Sequence, residues 1–185
     1  MPSLERSALG LVLAGGLAAC AQGSVDSPYV GSYDPAIVDY VVSRGAMYTE
    51  VLGNPFSTPL EEVESAVTRA MSGANPGQPI RFSTELEGDG RSPYRLVVAF
   101  NPAPGLSGYN LCLDEPGEAG VAAQQVRVIA AFCAGERRET SVSGRLPQAS
   151  GPNDPALGEL LRRMTVELFP RNNPDVPGGG ADFNT

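Results

Sequence analysis

Histidine, tryptophan and lysine are all missing from this chain of 185 residues, so its thirteen cationic side chains are all arginine. Each absence removes a chemistry. Without imidazole there is no Ser-His-Asp or Cys-His activation of a nucleophile and no imidazole acid–base catalysis. A zinc site built mainly from His and Cys is excluded by the same gap. Without lysine there is no Schiff base, no P-loop and no Ser-Lys dyad. Carboxylate chemistry survives, such as a glycosidase-like pair, and so does oxygen ligation of a divalent ion. No residue pattern assigns either one, so no catalytic residue, cofactor or metal is expected.

Positive charge is also scarce: thirteen cations face twenty-one Asp and Glu, for a net charge of −8. Nucleic acid is a poor partner for such a domain, because neutralising phosphates needs clustered cations. The same surface has no attraction for anionic lipid. Cysteine is the third shortage, with Cys20, Cys112 and Cys133 alone.

What is present begins with "SALGLVLAGGLAAC", Ser7 to Cys20. Arg6 lies in a short polar head, and the apolar run from Ala8 to Ala19 is shorter than the roughly 20 residues that span a bilayer core. Its length and flanks are those of a secretory h-region, so residues 1–19 are set apart from the fold as a signal peptide. Leu17-Ala18-Ala19-Cys20 resembles the lipobox of bacterial lipoproteins. That resemblance implies cleavage before Cys20 and acylation of Cys20 as the new N-terminus. Each buried methylene contributes about 0.8 kcal/mol, so more than one acyl chain holds a protein stably on a membrane. Ala21-Gln22 lack the aspartate that usually retains such proteins at the inner membrane of Gram-negative cells. The resemblance therefore implies a lipid anchor on the periplasmic face of the outer membrane.

The anchor resolves the cysteine arithmetic. Three thiols leave one odd in an oxidising compartment, but with Cys20 acylated, Cys112 and Cys133 form an even pair. A redox role is disfavoured because no C-x-x-C spacing depresses a thiol pKa. A structural disulfide is expected, and closing its loop stabilises the fold by roughly 3 kcal/mol.

Residues 20–34 have turn-prone Gly, Ser and Pro without an apolar period and read as a flexible tether, roughly 20 Å long on average. Residues 35–170 read as one globular domain, and 171–185 as a disordered Pro- and Gly-rich tail. In the domain, β-branched and aromatic residues around Ser43-Arg44-Gly45 favour a hairpin over residues 36–52. Asp34-Pro35 equally allows a helix as its first arm. Thr58 and Glu61 form a capping box for a helix with Leu60, Val63, Val67 and Ala70 or Met71 on one face, ended by Gly73. Ile80 to Leu86 and Tyr94 to Phe100 alternate in period two and read as a hairpin about Gly88-Asp89-Gly90. Tyr109 to Leu113 reads as a short strand. Val126 to Ala134 and Arg138 to Leu146 form the last hairpin, around Gly135-Glu136. Asp154 caps and Pro155 starts a final helix with Leu157, Leu160, Leu161, Met164 and Leu168 on one stripe. These elements predict an α+β fold: a single antiparallel sheet of about six strands with two amphipathic helices packed on it. A small open barrel capped by helices is the alternative.

Few residues suggest a site. Gly53-Asn54-Pro55-Phe56 resembles a segment of uncharacterised proteobacterial lipoproteins, a likeness that implies no function. Asn-Pro recurs at Asn75, Asn101 and Asn173, which favours a turn device. If Asn54 and Asn101 end neighbouring strands on one edge, they would make a polar ligand site. Arg137-Arg138 and Arg162-Arg163 would suit a carboxylate, phosphate or sugar acid, or simply a charged turn and a solvated helix face. Asp114, Glu115 and Glu118 lack the EF-hand spacing and read as a solvated loop.

The expected function is a membrane-anchored lipoprotein that binds a partner in the cell envelope, a protein by preference, without catalysis. Two readings compete with it: a carrier or sensor of a small apolar ligand, and a carboxylate-based glycan hydrolase.

Overall fold

The computed structural model describes residues 23–87, 92–113 and 125–173. Its elements run β1 Ser24–Val25, β2 Tyr29–Val30, α1 Ala36–Ser43, β3 Ala46–Leu52, α2 Leu60–Met71 and β4 Arg81–Ser83. They continue with β5 Tyr94–Phe100, a 3-10 turn at Asn110–Cys112, β6 Val126–Ala134, β7 Arg137–Leu146 and α3 Pro155–Leu168. The result is a mixed α+β fold with one open sheet, ordered β1-β7-β6-β5-β3-β4, with β2 also on β7. Cys20, the turn at Gly88-Asp89-Gly90, the acidic loop with Asp114, Glu115 and Glu118, and the tail from Pro174 lie outside the described residues.

The period-two pattern of Tyr94 to Phe100 names the faces of β5 correctly, and β6 beside it follows the same alternation. Leu96, Val98, Phe100, Val126, Val128, Ala130 and Phe132 all bury on the side that carries α2 and α3. Val97, Ala99, Ile129, Ala131 and Cys133 bury on the opposite side. Under the helices, Phe132 meets Phe169 with ring centroids 5.1 Å apart, and Tyr33 and Tyr94 pack edge-on and stacked against the same ring. Burial first, and then neighbouring Asp34, pushes the Tyr33 phenol well above its ordinary pKa.

Neighbours are a different matter. β3 pairs parallel to both β4 and β5, so the expected hairpin of residues 80–100 does not form. α2 joins two adjacent parallel strands, a β-α-β crossover. The return to β5 instead runs past Glu87, which accepts from Arg81 at 2.8 and 2.6 Å and from the Ala46 amide at 3.2 Å. Alternation reports which face a residue takes; it does not report the strand beside it. Leu86, which shares the alternating set of Ile80 and Phe82, is 68% exposed because β4 ends at Ser83.

Of the two readings open for residues 36–43 the helix forms, because Asp34 accepts from the Ala36 amide at 2.9 Å and Val38 and Val41 reach the core from one helical face. Three further expectations are corrected. The capping box is not made. Asn54 donates to the Thr58 carbonyl at 2.6 Å, α2 begins one residue later than the box requires, and the Thr58 hydroxyl is buried without a partner. Leu60 is consequently exposed. Tyr109 to Leu113 forms the 3-10 turn, not a strand.

The segment read as a tether is docked over residues 23–34. Ser24–Val25 and Tyr29–Val30 pair with β7, and Asn173, past the end of α3, donates to the carbonyls of Gly31 and Tyr33 at 2.9 and 2.8 Å. The physical reason is the edge: without this strap β7 would present a bare row of amides and carbonyls.

The closing helix behaves as its sequence dictates. Asp154 accepts from the Ala156 amide at 2.8 Å, and all five stripe residues are buried. Gly144 of β7 is required beneath it, since a Cβ there would meet Met164 Sδ at 2.7 Å and Leu160 Cδ1 at 3.0 Å.

Candidate binding face

Among the described residues, the sheet face opposite the helices is covered only in part. Residues 101–113 cross it, and Leu106, Leu111 and Cys112 pack on Val97, Ala99, Ile129 and Ala131. The Cys112–Cys133 disulfide clips the crossing segment to β6, with Cα atoms 5.5 Å apart. Arg95 adds two donations, to the carbonyls of Cys112 at 2.8 Å and Gly135 at 2.9 Å. Gly108 lies so close to Ser141 that a Cβ would overlap its side chain.

Beyond that cover the face opens into a hollow of about 420 Å³ lined by Asp26, Gln125, Arg127, Ile129, Ser143 and Arg145, with the backbone of Val128 and Gly144. Arg127 and Arg145 are directly opposed across the antiparallel β6–β7 ladder, so their side chains share this face. Asp26 follows β1 and binds Arg145 at 2.9 Å. Arg127 is held through its backbone: Asn101 accepts from its amide and donates to its carbonyl, both at 2.8 Å. Asn101 makes this clamp at a φ of 42°, a left-handed conformation that asparagine tolerates better than most residues.

Asn54 and Asn101 do end neighbouring strands on one edge, since Leu52 pairs with Ala99 two residues earlier on each. Both side chains are engaged with backbone groups. Asn54 spends its amide on Thr58 and its carbonyl on the Phe56 amide. Asn75 and Asn173 are likewise bound to backbone groups. The recurrent Asn-Pro is a turn and tie device.

The paired arginines diverge. Arg137 binds the buried Glu139 at 2.6 Å, while Arg138 stacks on Tyr29 with its guanidinium 3.5 Å from the ring centre. Arg162 pairs with Glu159, and Arg163 donates to the Gly23 carbonyl. The opposed pair Arg127 and Arg145 was not singled out by sequence reasoning. Its signal is weak, one arginine in each strand at positions that become opposite only once the register is known.

Among the described residues, two carboxyls, Glu87 and Asp154, are held below the usual carboxylate range. Glu87 is lowered by its bonds from Arg81, and Asp154 by the Ser150 amide that it accepts from. A glycosidase acid needs displacement the other way. Among the described residues no group of three or more His, Cys, Asp or Glu is placed to hold a metal ion. No helix of the described residues is long and apolar enough to cross a membrane.

No protein-family model matches the chain, and no curated protein does. Among solved structures it is similar to the PelC dodecamer of Paraburkholderia phytofirmans. One structure, of a substituted form, is 19% identical with a TM-score of 0.45, over 81% of this chain and all of that one. Another is 17% identical with a TM-score of 0.43, over 82% and all of that one.

Proposed function

We propose that this chain is an envelope lipoprotein, anchored through Cys20, whose domain binds a partner in the envelope and catalyses no reaction. The observation that carries the reading is the Cys112–Cys133 disulfide. It uses two of the three cysteines and leaves Cys20 alone behind Leu17-Ala18-Ala19. Disulfides belong to oxidising compartments, and a lone thiol there is accounted for by acylation. The half-covered sheet face, rimmed by the docked strap and the clipped segment, is the binding surface. The space between sheet and helices holds Phe100, Phe132, Phe169 and Tyr33 in place of an apolar ligand, and the lowered carboxyls are unsuited to a general acid.

The test is intact-mass analysis of the protein extracted from membranes, beside fractionation of a Cys20→Ser variant. The expected result is a chain starting at Cys20 with added acyl mass, and release or misprocessing of the variant. A full-length chain in the cytosol with free thiols overturns the anchor. Crosslinking in intact envelopes tests the binding half, which turnover of a glycan by the purified protein would overturn.

A further inference from the structure

From the geometry of the open face we infer that the Arg127–Arg145 hollow is a site for a carboxylate-bearing sugar, one acidic residue of a glycan. The inference rests on the reading of this face as a binding surface.

Two like charges directly opposite on a strand pair destabilise it. The fold nevertheless fixes both. Arg145 is drawn to one side by Asp26, and Arg127 is locked at its backbone by Asn101. Of the arginines on the strands, Arg81, Arg95, Arg137, Arg138 and Arg145 all have partners. Arg127 is exposed, and among the described residues its guanidinium meets no acidic or carbonyl partner. In a chain of net charge −8, an unpaired guanidinium beside a second one is a local reversal of sign. A placed feature that opposes both local stability and the overall charge points to a ligand that resolves it.

The chemistry narrows the class. Two arginines and one aspartate leave one unit of positive charge, which suits a monoanion. A planar fork matches a carboxylate in two parallel hydrogen bonds. Ser143 and Gln125 supply neutral donors and acceptors for hydroxyls, and Ile129 gives the floor an apolar spot. Asp26 disfavours ligands of higher charge density. The hollow of about 420 Å³ falls within the ordinary range for small-molecule sites.

Titration of the full acylated chain in detergent with trigalacturonic acid, its methyl ester, tetraglutamate and inorganic phosphate tests this. The acid is expected to bind at least tenfold more tightly than each of the other three. Arg127→Ala is expected to weaken the acid at least tenfold with an unchanged melting temperature, whereas Arg171→Ala leaves binding intact. Ester binding equal to the acid, acid binding that survives Arg127→Ala, or no acid binding at all overturns the site. Tetraglutamate or phosphate binding as tightly overturns the sugar assignment. If the acid fails while crosslinking still finds a specific envelope partner, the sugar site falls and the binding reading stands.

Discussion

The two faces of the sheet are held by different means. Under α2 and α3 the packing is continuous, with aromatic rings in mutual contact and a glycine at the point of closest approach. On the other face the described segment 101–113 covers part of β5, β6 and β7, and a covalent bond does much of what area does opposite. A large buried area gives cohesion but leaves no room for a ligand. A clipped segment leaves room, because a disulfide stabilises mainly by restricting the unfolded chain and needs little native surface.

That contrast can be broken at several points. Phe132→Ala should cost most, about 4 kcal/mol, since it empties the centre of the ring cluster on the helix face. Urea unfolding should show the whole transition moving to lower denaturant. The Cys112→Ala, Cys133→Ala double variant, whose cysteines are 21 residues apart, should lose roughly 3 kcal/mol. Hydrogen exchange should then quicken first over residues 101–113, while α3 keeps its protection. Equal quickening on both faces would show that the segment and the helix layer are one cooperative unit.

Asp154→Ala should cost about 1 kcal/mol at neutral pH through the lost helix cap. The folded pKa is depressed, so this contribution is full above the unfolded value near ~3.9 and is lost as pH falls through the folded value. The gap between variant and parent should therefore close in acid melts. The smallest effect is a gain: Thr58→Val removes a buried hydroxyl without a partner and should raise stability by under about 1 kcal/mol. A loss there would reveal a bond for that hydroxyl and return part of the capping box.

Much of this was readable residue by residue. The buried stripe of α3, its Asp154 cap, the two faces of β5, the last hairpin and the pairing of Cys112 with Cys133 follow from period, turn chemistry and parity, each of which is local or a matter of counting. The candidate site was nearly invisible. Asn101 shares an edge with Asn54 but clamps Arg127, and nothing local in the sequence marks Arg127 or Arg145.

The sequence by itself determined which residues of β5 and α3 face inward, where α3 begins and which chemistries are closed to a chain without His or Lys. Tertiary structure decided who stands next to whom: β3 between β4 and β5, the strap of residues 23–34 on β7, and two arginines opposed on one open face. The reason is physical. Side-chain period is set by the backbone of one strand alone, whereas register and neighbour order are set by what the assembled core and its edges leave unsatisfied.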